Sequence, residues 1–375
     1  MKILYDGHIY ATQTAGGINR YFGNIIDRLP SDSHPTLTCT HRTNKLHYPT
    51  HPNLILQEYR GFRPHRISLK VRKYYFRWLT WLNSHHPCDI FHPTYYFLLT
   101  EQSFTQTRHP LVITIHDMIH EIFADSIDPE GHDRRAKQVA IQAADAIICN
   151  SESTKRDLLK YYPDVESKTV VTHLASEFRT DWADGIEEVP THPYFLYVGS
   201  RNKAYKNFDT LLEAFSKAAS VNTDIRLCVV GSSFNEQEQR LITELKLTDR
   251  IQHYRYASDT HLAKLYRCSV AFVYPSLYEG FGIPPLEAMA CGTVVVASDS
   301  SSIPEVVGDA GILFAPKAVK DLTDILLNLL NSPSERDRLI AKGYERNKLF
   351  SWDKTADQTV QIYQSLLWEI WLPFL

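Results

Sequence analysis

The segment EGFGIPPLEAMACGTVVVAS occupies residues 279–298 and follows the apolar run Val270 to Tyr274, which predicts a buried strand. Proline has no amide hydrogen and a φ near the helical value, so Pro284-Pro285 predicts the first turn of a short helix. Gly292 is expected to cap that helix at its C-terminus. A second buried strand is predicted over Thr293 to Ala297. The segment therefore contains a glycine turn and a helix between two strands.

Two carboxylates, Glu279 and Glu287, lie on either side of the predicted helix N-terminus. Free amide hydrogens and the positive end of the helix dipole favour an anion there. Two carboxylates beside a phosphate would repel it, so they are expected to face hydroxyl groups. A nucleotide sugar, with phosphate at its centre and polyhydroxylated rings at both ends, fits this pattern. The alternative is that both residues are solvated at the helix end.

This stretch resembles the Glu-x7-Glu signature of the retaining glycosyltransferases of family 4 (glycosyl transferases group 1), which have the GT-B fold. The resemblance implies that Glu279 contacts hydroxyls of the donor sugar and that Glu287 holds the nucleotide ribose. It also implies that the turn between them binds the sugar and the diphosphate. The turn residues are Gly280, Phe281, Gly282 and Ile283.

A loop rich in cations follows the predicted strand Tyr194 to Val198 and leads into a helix. Such a loop forms a second anion site. The resemblance implies that Lys206 neutralises the leaving diphosphate and that Gly199 contributes to donor binding. It leaves open whether the partner cation is Arg201 or Lys203. The matching loop after Ile251 to Tyr256 implies backbone contacts to the base from Tyr256 and Ala257.

The first half of the chain has two further candidate sites. Gly16 and Gly17 follow the strand Lys2 to Tyr5, and the string GGINRYF resembles a subgroup loop whose glycine amides reach the donor diphosphate across the cleft. A tight turn is the alternative. His116 ends the predicted strand Leu111 to Ile115, where ligands of doubly wound sheets bind. The resemblance places it next to the donor sugar, and a structural histidine is the alternative.

The charge distribution is uneven. The formal net charge is -3, but the first 100 residues carry 12 Lys or Arg and 5 Asp or Glu. Residues 63–81 combine six cations with aromatic side chains, a composition typical of a helix that lies on an anionic membrane surface. A solvated helix with its aromatics packed inward is equally compatible. Nucleic acid is not expected, because no reading module accompanies the patch.

Length, cysteine content and hydropathy limit the class of protein. A chain of 375 residues suits two domains. The six scattered cysteines predict free buried thiols in a reducing compartment. Neither a signal peptide nor an apolar run of the roughly 18 to 20 residues that span a bilayer is visible. We therefore expect a cytoplasmic protein, peripheral on the inner face of the cell membrane if residues 63–81 bind lipid.

Alternating strands and helices in both halves predict an α/β protein with two doubly wound, Rossmann-like domains facing across a cleft, as in the GT-B fold. The expected divisions are residues 1–180 on the acceptor side, a linker at 181–192, and a nucleotide-sugar domain at 193–350. Residues 351–375 are expected to form a helix that crosses back to the first domain. A nicotinamide enzyme is disfavoured because no GxGxxG follows a strand.

The resemblance implies a retaining hexosyltransferase that acts on a saccharide or lipid-linked acceptor in cell-surface polysaccharide or glycoconjugate synthesis. The subgroup that it resembles favours mannose, from GDP-mannose, over transfer from a UDP-sugar. We expect no cofactor beyond the donor and no catalytic metal, because no two aspartates are separated by one residue as in Asp-x-Asp. The alternative is a catalytically inactive protein that keeps the fold as a nucleotide-sugar binder or scaffold.

Overall fold

The computed structural model describes residues 1–13, 16–40, 47–59, 74, 78, 87–100 and 103–371. The chain divides into two units. The first unit contains Met1–Leu174 and the C-terminal helix that begins at Trp352, and the second unit is Ala175–Ser351. The segment expected to link the domains, residues 181–192, is part of the second unit.

The strands of the first unit pair in parallel in the orders β3-β2-β1-β4 and β5-β6-β7. A parallel bridge between Phe91 and Leu111 connects the two sets. The strands are β1 (Lys2–Asp6), β2 (His34–Thr40), β3 (Ile55–Tyr59), β4 (Ile90–Phe91), β5 (Val112–Ile115), β6 (Ala146–Cys149) and β7 (Thr169–Val171).

The described helices of the first unit include three amphipathic ones of 10 to 12 residues and a C-terminal helix. They are α1 (His8–Thr12), α2 (Gly17–Asp27), α3 (Ile119–Ile122), α4 (Ala124–Ile127), α5 (His132–Ala143), α6 (Glu152–Tyr161) and α14 (Trp352–Trp371). The short 3-10 helices are Phe104–Gln106 and Pro163–Lys168.

The second unit has one parallel sheet of six strands in the order β10-β9-β8-β11-β12-β13. The strands are β8 (Tyr194–Val198), β9 (Arg226–Val230), β10 (Ile251–Tyr254), β11 (Ala271–Tyr274), β12 (Val295–Ser298) and β13 (Gly311–Phe314). The helices are α7 (Phe208–Val221), α8 (Glu236–Glu244), α9 (Asp259–Cys268), α10 (Ile283–Ala290), α11 (Ile303–Val307), α12 (Val319–Asn331) and α13 (Pro333–Asn347), with 3-10 turns at Thr180–Asp184, Ala204–Lys206 and Thr248–Arg250.

Both sheets reverse their strand order once. In the first unit the reversal lies between β1 and β4, and in the second it lies between β8 and β11. Ligands of such sheets bind beyond the carboxyl ends of the strands at this switch point. The two Rossmann-like units confirm the fold class expected from the sequence, and the switch points indicate which loops to inspect.

The C-terminal helix α14 joins the first unit through buried polar contacts. The Tyr363 hydroxyl lies 2.5 Å from Nδ1 of His92, whose Nε2 lies 2.9 Å from the Thr114 hydroxyl. The Tyr363 hydroxyl also lies 3.2 Å from the hydroxyl of Tyr5 on β1. These contacts connect α14 to three strands of the sheet.

Several local expectations can be compared with the structure. Gly292 follows α10 with φ +77°, and its amide donates to the Met289 carbonyl at 3.1 Å, which confirms the expected cap. The six cysteines are free, and four are buried as expected. Cys88 is only half-buried, and Cys268 is exposed because it is the last residue of α9 at the surface. The stretch 63–81 lies outside the described residues except for Tyr74 and Trp78, which are helical and exposed.

Candidate functional site

An ion pair lies at the switch point of the second unit. Nζ of Lys206, from the loop after β8, is 2.7 Å from Oε1 of Glu279, from the loop after β11. The two side chains are 18% and 14% exposed, so water reaches the pair without surrounding it. The buried hydroxyl of Tyr274 also forms a hydrogen bond with Glu279. The sequence analysis assigned both charged residues to the donor site, and in the structure their side chains are in contact.

Backbone contacts fix the two loops to each other. The amide of Leu277 donates to the Tyr205 carbonyl at 2.7 Å. Asn207 has φ +55°, and its side-chain amide donates to the carbonyls of Pro275 at 2.9 Å and Pro316 at 2.6 Å. Asn207 therefore joins the loops that follow β8, β11 and β13. Its place directly after Lys206 holds that lysine in register with Glu279.

Three consecutive serines after β12 form hydrogen bonds with the glycine turn and with the residues that precede it. The amide of Glu279 donates to the Ser301 hydroxyl at 2.8 Å. The hydroxyl of Ser302 donates to the carbonyls of Glu279 and Phe281 at 2.8 and 2.7 Å. Ser300 donates to the carbonyl of Leu277. The sequence analysis missed these serines, although a polar run directly after a buried strand is a signal for a loop at the carboxyl edge.

Helix α10 begins within this turn. Gly282 precedes it with φ +114°, which L-residues rarely adopt. Because Pro284 and Pro285 have no amide hydrogen, the amides at the start of α10, which we call the α10 amides, are those of Gly282 and Ile283. Glu287 lies on α10, 9% exposed, and its Oε2 accepts a hydrogen bond from the Tyr266 hydroxyl at 3.0 Å. Burial and the charge of Glu287 raise the pKa of Tyr266, so this hydroxyl stays protonated and donates.

Arg201 occupies a different environment from Lys206. Its Nε lies 2.9 Å from Oε1 of Glu238, and its side chain is 1% exposed. The guanidinium also packs over the ring of Phe234, 4.6 Å from its centroid. The pair connects the loop after β8 to the first turn of α8. Lys203, the other candidate partner of Lys206, is exposed.

The remaining candidates of the second unit follow strand ends. Gly199 comes directly after β8 with φ +140°. Tyr256 and Ala257 follow β10, and the side chain of Tyr256 is 80% exposed. All three therefore lie at the same edge of the sheet as Lys206 and Glu279.

His116 lies in the first unit, directly after β5. Its ring packs edge-to-face on Tyr21 with centroids 5.4 Å apart, and its carbonyl accepts from the Asn150 amide at 2.7 Å. Burial is the main cause that lowers the pKa of His116 to about 4; the charge of Asp117 opposes this shift, and that of Lys137 adds to it. The imidazole is therefore neutral at pH 7, and its Nε2 has no hydrogen-bond partner among the described residues.

Gly16 and Gly17 also lie in the first unit, at the N-terminus of α2. A Cβ on Gly17 would meet no atom within 4 Å, and one on Gly16 would meet only movable side-chain atoms. Neither glycine is therefore required by packing against the described residues, and the alternative that the pair serves only as a tight turn gains no support from sterics.

The described part of the chain contains neither a cluster of metal-binding side chains nor a membrane-spanning helix. No group of three or more His, Cys, Asp or Glu side chains there is arranged to hold a metal ion. No helix in the same residues combines the length and apolar composition that a bilayer crossing requires. The expected independence from metal stays a prediction.

Two family models match the chain over most of its length. Residues 15–175 match the model described as Glycosyltransferase Family 4, and residues 178–346 match Glycosyl transferases group 1. The O-antigen chain mannosyltransferase B of Escherichia coli is 30% identical over 274 residues, 68% of this chain and 70% of that protein. The MMP alpha-(1->4)-mannosyltransferase of Mycolicibacterium hassiacum is 34% identical over 224 residues, 54% of each chain.

The fold is shared with a solved structure. Sucrose-phosphate synthase from Thermosynechococcus elongatus superposes with a TM-score of 0.76 at 21% identity, covering 97% of this chain and 98% of that one. The sequence matches therefore agree with the two Rossmann-like units and with the Glu-x7-Glu segment. The chain belongs to the family 4 glycosyltransferases of the group 1 type and is a glycosyltransferase with the GT-B fold.

Proposed function

We propose that this glycosyltransferase moves a mannosyl group from GDP-mannose to a saccharide or lipid-linked acceptor in the synthesis of a cell-surface polysaccharide or glycoconjugate. The ion pair of Lys206 and Glu279 beside the glycine turn is the observation that supports donor binding in this proposal. It brings a cation, a carboxylate and a helix N-terminus to one switch point. The two mannosyltransferases among its relatives favour mannose.

Each group in the site has a role in this proposal. Glu279 accepts hydrogen bonds from hydroxyls of the transferred sugar, and Glu287 accepts them from the ribose. Lys206 and the first amides of α10 receive the phosphate oxygens. The roles of His116, Gly16 and Gly17 in donor binding belong to the same proposal. His116, kept neutral by burial, offers a hydrogen bond without a positive charge.

The difficult step is the departure of the nucleoside diphosphate. The bond between C1 of the sugar and the phosphate oxygen breaks, and C1 gains oxocarbenium character as negative charge grows on the diphosphate. A preorganised donor at such a position contributes about 3 to 4 kcal/mol. We propose that Lys206 and the α10 amides provide this stabilisation without a metal ion.

Retention of configuration fits a front-face route. A diphosphate oxygen takes the proton of the acceptor hydroxyl while the acceptor oxygen bonds to C1 on the face that the diphosphate leaves. The route needs no enzyme nucleophile. Lys206 then neutralises the negative charge of the departing diphosphate and must stay close to it during the whole step. The hydrogen bonds of the neighbouring Asn207 fix the loop and favour this position.

Peripheral contact with an anionic membrane is part of the proposal. Tyr74 and Trp78 are helical residues whose aromatic side chains are 70% and 53% exposed. They lie within the cation-rich stretch 63–81, and this combination is typical of helices at a lipid surface.

A panel of donors tests the proposed function. The purified protein is heated with GDP, UDP, GDP-mannose or UDP-glucose, and donor hydrolysis and transfer are then measured with the same panel. A ligand at 100 times its Kd adds about 2.7 kcal/mol of stability, so GDP compounds should raise the melting temperature most. Preference for UDP-sugars would overturn the donor assignment. The absence of any nucleotide effect would overturn the site itself.

A further inference from the structure

The carboxylate of Glu287 accepts a hydrogen bond from a fully buried tyrosine. The hydroxyl of Tyr266, on α9, donates to Oε2 of Glu287, on α10, at 3.0 Å. Tyr266 is 0% exposed, whereas Glu287 is 9% exposed. The tyrosine therefore approaches the carboxylate from the interior of the second unit.

Neighbouring aromatic rings fix the orientation of the Tyr266 ring. The centroid of Phe272, on β11, lies 5.3 Å from that of Tyr266 with the planes at 76°, and the centroid of Phe178 lies 6.0 Å away with the planes at 87°. Both contacts are edge-to-face, an arrangement that aromatic pairs prefer. A phenylalanine has the same ring, so these contacts do not require the hydroxyl.

Hydrogen bonds also fix α9 relative to α10. Nε of Arg267 donates to the carbonyl of Cys291, at the C-terminal end of α10, at 2.7 Å. The amide and the hydroxyl of Ser269 donate to the Tyr266 carbonyl at 3.0 and 2.8 Å at the end of α9. The backbones that carry Tyr266 and Glu287 are thus held together independently of the contact between the two side chains.

The Tyr266 hydroxyl acts as a hydrogen-bond donor and not as an acid. Burial raises the pKa of Tyr266 well above its usual value, and the charge of Glu287 and the hydrogen bond to it raise this pKa further. The proton therefore stays on the tyrosine oxygen at neutral pH. A carboxylate can accept about four hydrogen bonds, so Glu287 can accept this one together with those of a ligand.

We propose that Tyr266 is a positioning residue that makes the donor site selective for ribonucleotides. By fixing Oε2 of Glu287, it sets the plane of the carboxylate that receives the two ribose hydroxyls. The inference rests on the proposed ribose role of Glu287 and deepens it, because it names the group that orients the carboxylate and the sugar that is selected.

The orientation of the carboxylate matters because a glutamate side chain is flexible. Its last torsion has a broad energy minimum, and the side chain loses rotational freedom when a ligand binds. A hydrogen bond from a rigid, buried donor removes part of this freedom before binding, and such preorganisation increases affinity. Loss of the Tyr266 hydroxyl should therefore weaken the binding of nucleotides that have ribose hydroxyls and not of those that lack them.

Tyr266→Phe tests the inference, with GDP and 2′,3′-dideoxy-GDP as the probes. Titration calorimetry on the full-length protein gives the Kd of each nucleotide. The wild type should bind dideoxy-GDP at least about tenfold more weakly than GDP. In Tyr266→Phe the Kd of GDP should rise about fivefold, while the Kd of dideoxy-GDP and kcat at saturating donor should each stay within about twofold of the wild type.

Tyr194→Phe is the matched control. The Tyr194 hydroxyl belongs to a residue that is 1% exposed and also donates a hydrogen bond, at 2.7 Å, but to the carbonyl of Leu265. This variant should keep the wild-type Kd for both nucleotides. The double variant Tyr266→Phe with Glu287→Gln should bind GDP as Glu287→Gln alone does, because the hydroxyl acts only through the carboxylate. That comparison tests the inference even where the single tyrosine variant fails to fold.

Two results in the variants would overturn the inference. One is a Kd that is unchanged for GDP, or raised equally for GDP and dideoxy-GDP, in Tyr266→Phe. The other is a further loss of GDP affinity in the double variant.

Failure of the proposed function would appear in the wild type instead. Equal binding of GDP and dideoxy-GDP by the wild type would contradict the ribose role of Glu287 itself. Preference for UDP would change only the donor base, and UDP with its dideoxy analogue would then replace the two probes. If the wild type bound no nucleotide, both the proposed site and the inference would be wrong.

Discussion

The ammonium of Lys206 and the carboxylate of Glu279 lie 2.7 Å apart although 73 residues separate them in the chain. The contact depends on the strand order of the second unit, which places β8 beside β11. Because the two strands are parallel neighbours, the loops at their carboxyl ends meet. The charges that we propose for donor binding are thus brought together by sheet topology and held by Asn207 and the serines after β12.

Glu279→Gln should lower turnover while leaving nucleotide binding largely intact. The amide keeps the shape of the side chain and a contact to Lys206 but loses the charge that accepts sugar hydroxyls. We expect kcat to fall about 100-fold and the Kd of the nucleotide to change less than about threefold. Steady-state kinetics and calorimetry measure both quantities. Glu236→Gln, at a side chain that is 90% exposed, is the control. Wild-type turnover in Glu279→Gln would contradict the assignment of Glu279 to the donor site.

Glu287→Gln should weaken nucleotide binding instead. Hydrogen bonds to a charged acceptor are worth about 1.5 to 3 kcal/mol, so the Kd of the nucleotide should rise at least about tenfold. The turnover number at saturating donor should fall much less. Titration calorimetry with the preferred nucleoside diphosphate gives the comparison. An unchanged Kd would contradict the ribose role of Glu287.

Arg201→Met should destabilise the protein, because it leaves the carboxylate of Glu238 buried without its cation. Breaking a buried pair costs about 3 to 5 kcal/mol in free energy of unfolding. The double variant Arg201→Met with Glu238→Met should recover much of that loss. Urea denaturation measures each free energy, with Arg240→Met at an exposed pair as the control. A large fall in kcat at unchanged stability would instead assign Arg201 to catalysis.

The stability of the protein should decrease as the pH falls below about 6.5. Burial lowers the pKa of His92 to about 3 and that of His116 to about 4. In the unfolded chain both histidines take up protons near pH 6.5, while in the folded protein they stay neutral until far lower pH. The unfolded state therefore binds more protons between pH 6.5 and about 4, and the free energy of unfolding falls by up to about 1.4 kcal/mol per pH unit for each histidine.

Urea denaturation at pH 7 and pH 5 measures this slope. His116→Asn should reduce this slope, because it removes one of the two buried histidines. A slope in His116→Asn equal to that of the wild type would show that His116 does not remain neutral in the folded state.

Transfer should continue in excess chelator. The proposed charge stabilisation comes from Lys206 and the amides of α10, so removal of divalent ions should leave kcat within about twofold. Activity is measured with EDTA and again after adding magnesium or manganese. Loss of activity in chelator that either ion restores would contradict this assignment of charge.

The sequence predicted the second unit more fully than the first. Strands β8 and β11 are short apolar runs bounded by glycine or proline, and such runs are recognisable without tertiary information. Strand β2, HPTLTCT, mixes threonine and histidine and gives no such signal, because its burial depends on neighbours distant in the chain. Helices α8 and α13 are rich in charge, so their apolar faces are too narrow to be read from periodicity alone.

The candidate functional site, too, could be predicted only in part from the sequence. Glu279, Glu287 and Lys206 were found from local pattern and resemblance. The partner of Arg201 was not, because Glu238 lies 37 residues away in a helix that the sequence did not reveal.

The division of the chain has a consequence for how the protein is made. The first unit needs α14, whose Tyr363 bonds to His92 and approaches Tyr5, whereas the second unit is one uninterrupted segment. During synthesis the second unit can complete its core before the first, although it is translated later. Until α14 is available, the buried ring of His92 lacks its Tyr363 partner, so the first unit is expected to complete its core only after the segment that forms the second unit has been synthesised.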